Sequence, residues 1–578
     1  MRKLSGIAFS LASTAVLCCL QLPLEAQNAF DPVYAGEAGS IREEVELFTD
    51  RSLYICGENI RFRADCHVEG LDETVPWSSV LYVELIDAGG KSVAGSKHPI
   101  RDGRVSGQIG IPGEGLTGHY FLKGYTRWMR NMGPESFSYV PLKIVNPLKK
   151  EVGRPAGRPM DGLTLESRFY GKGMLRIGQV QQVYGREEEA RFRVFLAPGG
   201  RTEELDCCVS MVPEGSIDTL SSSSLTSVGN QAGPVFRVDY LPDLEGPSVS
   251  GRVLGGDGSP VPYVRLHFSL LGKGPDYITG ISDGTGRFVI STPERTGEQE
   301  WIMVPDPQGK GPVEVRIDQD FDQGEFRPPH WDFELSESER ILAADMALDV
   351  QLDRVYRTGA KAVPADSIPG SGQEEAPEFY GTPPFRLELD EFIDLPSLEE
   401  VFINLVPHVY VVKRKGKKQL LIESMNTAIG VYPPLIMVDH IPVFDLDALL
   451  AMVPEGIRRL DVINEVYVKG ELACGGLISI YTRKGDMAGL DLSPGSYFFD
   501  FASLSPPEPV SKEVPAAGDR IPDTRNTLLW RDHVRVGRRT PVELSCITPE
   551  RPGTYLVLVR GRTADGEVQA AVARFTVK

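Results

Sequence analysis

Leu435-Ile-Met-Val-Asp-His-Ile-Pro-Val443, taken with Ala473-Cys-Gly-Gly-Leu-Ile-Ser-Ile-Tyr-Thr-Arg-Lys-Gly485, is the most motif-like part of this chain. The first stretch is an apolar run of strand length that stops at an Asp-His-Ile-Pro turn. A short amphipathic segment and a second strand follow, and the Gly475-Gly476 pair leads into a last strand. Upstream, Ser397-Leu-Glu-Glu400 has the capping-box pattern of a helix start, Pro407 ends that helix, and a hairpin turning at Lys415-Gly-Lys417 comes next. Residues 385–486 therefore read as a small α/β module.

Over roughly residues 390–485 this order of elements resembles the plug domain of outer-membrane TonB-dependent receptors. A plug fills a barrel of ~22 strands, each of ~9–11 residues. The residues from Asp486 to Lys578 are too few for that barrel, so the expectation is a plug-like domain without a pore. Asp439 and His440 form a neighbouring carboxylate–imidazole pair that can share a proton. With no Ser, Cys or metal partner nearby in sequence, the preferred reading is a turn, and Asp439–Pro442 and Gly475-Gly476 are taken as scaffold. The basic run Lys413-Arg-Lys-Gly-Lys-Lys418 offers either a phosphate or lipid-headgroup site or a solvated hairpin tip; the tip is preferred.

Working outward, Met1-Arg-Lys3, the apolar run Ile7–Leu20 and Leu24-Glu-Ala26 have the layout of a secretory signal, giving a leader over 1–26 and an exported mature chain. The apolar run is shorter than the ~20 residues of a spanning helix. No later run reaches that length, so no transmembrane segment is expected in the mature chain. A net charge of −19 argues against nucleic acid or an anionic membrane surface as the main partner. Six cysteines follow the leader (Cys56, Cys66, Cys207, Cys208, Cys474 and Cys546) without zinc-like spacing or a readable disulfide framework.

At 578 residues the chain calls for four or five domains. Alternating runs such as Leu81–Ile86 and Tyr120–Tyr125, separated by Gly-rich turns, make residues 45–147 a β-sandwich. Thr49–Phe62, with its Tyr-x-x-Gly-Glu turn, and Gly118–Asn131 resemble the two ends of a macroglobulin-like domain as it occurs in exported proteins of Bacteroidetes-type bacteria. Residues 160–245 form a second β-rich unit, with strands at Ala190–Leu196 and Cys207–Val212 and a surface loop at Ser221–Ser224. Residues 248–320, with Val249–Val253, Gly258-Ser-Pro260 and Thr279–Phe288, resemble the carboxypeptidase regulatory-like fold, a structural sandwich. Ser336-Glu-Ser-Glu339 caps a helix over 336–356, with Ile341, Leu342, Leu348 and Leu352 on one broad face. A Pro/Gly/Ser-rich linker spans 357–378. Beyond the plug-like module come a tether over 487–518 and a C-terminal β-sandwich element over 519–578, whose three strands make a poor independent fold. The fold class is multidomain and mainly β: serial β-sandwich (Ig-like, macroglobulin-like) domains plus the small α/β plug-like domain.

No residue is assigned a catalytic, cofactor-binding or metal role, and no cofactor is expected. Cys56-Gly-Glu-Asn59 is similar to the Cys-Gly-Glu-Gln thioester of macroglobulins, but Asn59 is one methylene short and the position suits a structural turn. Cys207-Cys208 is read as one buried and one half-exposed thiol, since adjacent strand residues point to opposite faces. Cys66-His67 is too few ligands for zinc, and Asp283-Gly-Thr-Gly286 has too few carboxylates for calcium. No catalytic motif is present. The expectation is a non-enzymatic cell-envelope binding or scaffold protein, periplasmic or peripheral to the outer membrane, whose partner is an outer-membrane β-barrel or another envelope protein. The alternatives are an in-trans accessory of TonB-dependent import and, with less support, a macroglobulin-like protease trap.

Overall fold

The strand Val80–Asp87 places Tyr82 and Glu84 on one face and Leu81, Val83 and Leu85 on the other, and all five are buried. Alternation by itself predicts one wet face. Here the Tyr82 hydroxyl donates to Asp243 (2.9 Å), Lys123 and Tyr125 donate to Glu84 (3.0 and 2.8 Å), and Phe321 meets the Tyr82 ring edge-on. Segments from further along the chain thus cover the second face. The strand belongs to a five-stranded sheet in the order Leu53–Ile55, Ser138–Val145, Gly118–Thr126, Val80–Asp87, Ser92–Pro99. That sheet shares a core with a three-stranded one, Arg42–Thr49, Asn59–Glu69 and Arg104–Gly110. Together they are the first sandwich.

The computed structural model describes residues 38–71, 77–154, 163–165, 173–198, 202–217, 225–227, 237–272, 274–306, 311–325, 327, 331–357, 378–389, 395–414, 416–470, 472–507 and 522–578. Residues 1–26, read above as a leader, the Ser221–Ser224 run, residues 358–377, read as a linker, and residues 508–521 lie outside them.

The units read separately as 160–245 and 519–578 form one sandwich. Glu189–Leu196 lies between Leu175–Gly178 and Val542–Ile547. Glu204–Pro213 lies between Leu529–Gly537 and Gly553–Arg562, and the same sheet continues through Val568–Val577 to Val183–Tyr184. The tail strands bury Val557, Val559 and Phe575 against Phe192, Val194 and Val209, surface that three strands alone cannot cover. The tether needs a similar correction. Tyr497–Ala502 within it pairs antiparallel with Glu298–Pro305, placing Phe501 in the core of the third sandwich. That sandwich otherwise consists of Ser248–Gly255, Arg287–Ser291 and Val313–Ile317 facing Asp276–Ile281, Arg265–Leu270 and Glu298–Pro305. The protein is therefore nested: the third sandwich, the long helix and the plug-like module are inserted between two halves of the second sandwich.

Glu337–Arg357 is the long helix, and its start carries a reciprocal capping box: Ser336 Oγ accepts from Glu339 N (3.2 Å) and Glu339 Oε2 from Ser336 N (2.7 Å). Its buried stripe is Leu342, Ala343, Met346 and Ala347, packed on Leu53 and Ile55 of the first sandwich. Ile341 and Leu348 are exposed, because they lie off the stripe Leu342, Ala343, Met346 and Ala347 that meets the first sandwich. Arg551 grips Asp349 (2.9 Å), tying the helix to the second sandwich as well.

Glu43, on the first strand, is buried and accepts from Ser78 Oγ (3.1 Å) and Thr126 Oγ1, and burial pushes its carboxyl up to about 7. In the unfolded chain it titrates near 4.5. Below 4.5 both states are protonated. Between 4.5 and 7 only the folded state keeps the proton, so stability falls as pH rises, by about 3.5 kcal/mol at about 1.4 kcal/mol per pH unit. Glu43→Gln is expected to remove that part of the slope, read by denaturant unfolding at pH 5 and pH 8. An unchanged difference between the two pH values would show that Glu43 ionises freely.

Candidate functional site

The α/β module whose sequence resembles a plug has a five-stranded sheet in the order Phe385–Glu388, Ile457–Ile463, Leu477–Thr482, Leu435–Val438, Ile441–Pro442. Asp439 and His440 occupy the hairpin turn between the last two strands with φ of 48° and 67°. Two consecutive positive φ values match the hand of the strand twist, and Asp and His tolerate them better than most side chains. The Asp439 carboxylate accepts from Thr482 N (2.8 Å), Thr482 Oγ1 (2.6 Å) and Met487 N (2.9 Å), pinning the loop that leaves the last strand. Asp439→Ala is expected to cost about 2–3 kcal/mol by leaving these donors unpaired, with Asp439→Asn losing half as much or less. Chemical denaturation of the two variants checks this. Gly475 and Gly476 begin the last strand because nothing larger fits: a Cβ on Gly475 would lie 2.2 Å from the carbonyl oxygens of Ile429 and Tyr432, and Gly476 has φ 90°.

Neither face of this sheet is bare. One carries the helices Leu398–Asn404 and Leu446–Leu450, the hairpin Val409–Ile422, and Ile302 and Val304 of the third sandwich. Leu435, Met437, Leu477 and Tyr481 instead pack with Tyr380 and with Tyr277 of the third sandwich. Ser269 Oγ of that sandwich donates to the His440 carbonyl (2.7 Å). Beside Tyr481 lies a charged cluster that sequence reading missed. Arg386 donates to both oxygens of Asp461 (2.9 and 3.1 Å), Tyr380 donates to Asp461 (2.9 Å) and contacts the Tyr481 hydroxyl, and Arg459 pairs with Glu378 and Asp461 while stacking on the Tyr481 ring (3.9 Å). Burial works against the Arg459 charge, but Asp461 and Glu378 more than offset it and hold the guanidinium charged. The available signal was the charged residues Arg458, Arg459 and Asp461 inside a strand whose other residues, Ile457, Leu460, Val462 and Ile463, are apolar.

His440 forms the edge of this cluster. Its Nε2 stands 3.8 Å from Glu378 Oε2, its ring meets Tyr481 edge-on (5.2 Å), and burial lowers its pKa, so it is neutral at pH 7. Its Nδ1 and Glu378 Oε2 are buried without hydrogen-bond partners among the described residues. His440 and Tyr481 then line a cleft of about 690 Å³ between the module and the third sandwich. The sandwich side contributes Glu300 and Phe498; the module contributes Arg458, Arg483 and Leu490. Arg458 is the extra residue where the pairing register slips between Ile457 and Arg459, and it has no hydrogen bond or ion pair among the described residues.

The other residues singled out from sequence are dispersed. Glu58 accepts from Ile55 N (2.7 Å), Arg51 (3.1 Å) and Asn526 (2.8 Å), so the Cys56–Asn59 turn fastens the first sandwich to the second. Asn59 Nδ2 donates to Gln108 Oε1 (3.2 Å), while Cys56 Sγ rests on the Gly115 carbonyl (3.8 Å). Cys207 and Cys208 are both buried, correcting the half-exposed expectation. Cys207 faces the core of its own sandwich, while Cys208 faces Phe48 of the first sandwich and Trp530. All six cysteines are free thiols. Asp283 Oδ1 accepts from Thr285 N (2.8 Å) and Arg287 N (2.9 Å), a turn built on itself. Lys413, Arg414 and Lys417 are exposed at the hairpin tip, and Lys418 pairs with Glu399 (2.7 Å). Among the described residues, including Cys66 and His67, no cluster of three or more His, Cys, Asp or Glu is placed to hold a metal.

No protein-family model and no curated protein matches the sequence. Among solved structures, Salmonella α2-macroglobulin reacted with methylamine aligns over 93% of this chain and 39% of its own, at 8% identity and a TM-score of 0.22. The native conformation of the Escherichia coli α2-macroglobulin aligns over 93% and 40%, at 8% identity and 0.23. Dimeric latent PorU from Porphyromonas gingivalis aligns over 48% and 33%, at 10% identity and 0.14. The chain thus spans about two fifths of the length of the macroglobulin chains it is similar to.

Proposed function

We propose that this is a non-enzymatic, exported cell-envelope binding protein in which serial sandwiches present a plug-like module to an outer-membrane β-barrel or another envelope component. The observation that carries the reading is the path of the chain after the module. Its next strands, Tyr497–Ala502 and Leu529–Gly537, pair with strands of the third and second sandwiches, so the chain that leaves the module runs straight back into them. A barrel plug needs the opposite connection. Outward from the module stand Met425, Val431 and Tyr432, on a loop that exposes apolar side chains to solvent, a feature of contact surfaces. No helix among the described residues is long and apolar enough to cross a membrane.

The thioester-dependent trap draws no support from Asn59, whose amide is engaged by Gln108 rather than by Cys56. The test is cross-linking in cells from a photoreactive residue at position 425 or 431. An envelope protein captured from these sites, and not from an exposed site on the second sandwich such as Arg535, supports docking. Equal capture from both, or none, ends this reading. Impaired nutrient uptake on deletion would move the function to an accessory of active import.

A further inference from the structure

We propose that the cleft between the plug-like module and the third sandwich captures the free carboxyl terminus of a polypeptide that ends in an apolar residue. This deepens the docking reading and rests on it, since the captured segment belongs to the docked partner. Three chemical requirements converge there. The first is a carboxylate receptor. Arg458 is displaced from the strand by a bulge, exposed, and without an ion-pair partner among the described residues. Arg483 stands at the same cleft with its Nε anchored on the Glu455 carbonyl (2.7 Å). A guanidinium presents paired donors that match a carboxylate.

The second is an acceptor for one N–H. With Nε2 facing the Glu378 carboxylate, the His440 proton belongs on Nε2. That leaves the Nδ1 lone pair, which has no partner among the described residues. Buried polar atoms are rarely left unpaired, and the amide N–H of a terminal residue is the complement. The third is an apolar surface. Phe498, 49% exposed although it lies on a sheet whose other side is core, and Leu490 provide it. A carboxylate, one N–H and an apolar side chain together describe the last residue of a peptide, a recognised mode of terminal capture. A volume of about 690 Å³ has room for that residue and part of the preceding one. Glu300, on the sandwich wall, disfavours a second carboxylate at the penultimate position.

The experiment is calorimetric titration of the full-length mature protein with an N-acetylated tetrapeptide ending in phenylalanine. The same peptide as its C-terminal amide serves as comparison, on the native protein and on Arg458→Ala. Arg458 is exposed, so its removal leaves folding intact. The free acid is expected to bind at least tenfold more tightly than the amide, and Arg458→Ala is expected to abolish that preference. Equal affinity for acid and amide, absence of binding at millimolar peptide, or a preference that survives Arg458→Ala each overturns the proposal. In-cell cross-linking from position 425 separates the two readings. Capture of the same envelope protein by native and Arg458→Ala chains, without peptide binding, removes the cleft proposal and leaves docking standing.

Discussion

A chain ended after Pro507 is expected to lose the second sandwich as a folded unit while keeping the third. Such a truncation removes Leu529–Gly537, Val542–Ile547, Gly553–Arg562 and Val568–Val577, and with them both neighbours of Glu204–Pro213. Cys207, Val209 and Met211, fully buried in the intact protein, then face water alongside unpaired backbone groups. Tyr497–Ala502 is retained, so the third sandwich still has all its strands. Limited proteolysis should cut between residues 173 and 217 early and spare 248–305, and sedimentation should show association through the bare strands. A soluble monomer resistant to cleavage in 173–217 would mean that the tail strands are dispensable.

The second large effect is expected at Arg63. This buried guanidinium donates to Asp65 (2.7 and 3.0 Å), to Asp206 of the second sandwich (2.7 Å) and to the Asp532 carbonyl (2.8 Å). Burial opposes ionisation of Asp206, but Arg63, with His533 and Arg104, outweighs it and draws the carboxyl below its usual range. Arg63→Ala leaves two carboxylates at a buried interface without their shared cation, at a cost of about 3–5 kcal/mol. Arg63→Met with Asp65 and Asp206 changed to neutral residues should recover most of that, because what is destabilising is the uncompensated charge. Denaturant unfolding of the single and triple variants measures both. A loss below about 1 kcal/mol for Arg63→Ala would place the network among weak surface pairs.

Much of the local structure was legible because its causes are local. Ser336 and Ser397 each accept from the amide three residues on, as a capping box requires. The alternation in Leu81–Ile86 found a strand but missed its double burial, because the cover is supplied by Asp243 and Phe321 far along the chain. The same reason hid the join between 160–245 and 519–578, since nothing in Cys207–Val212 says that its partners begin at Leu529. In the tether, Pro and Ser on both sides of Tyr497-Phe-Phe-Asp-Phe501 masked a strand whose aromatic alternation was present in the sequence. At the candidate site, the Asp439–Pro442 turn and the Gly475-Gly476 pair could be read. Glu378, Tyr380, Arg386 and Arg459 meet only through tertiary packing and could not.

Nesting also dictates an order of events during folding. The Cys207 thiol meets the Val534 carbonyl across 327 residues of chain, so the second sandwich cannot close until nearly everything else has been made and delivered. The first and third sandwiches have mostly nearer partners and can condense earlier. Contacts of such wide sequence separation form slowly, because the loop between them must be closed before any stabilisation is gained. Until then Glu204–Pro213 is an apolar strand with two open edges, the segment of this protein most in need of a holding chaperone.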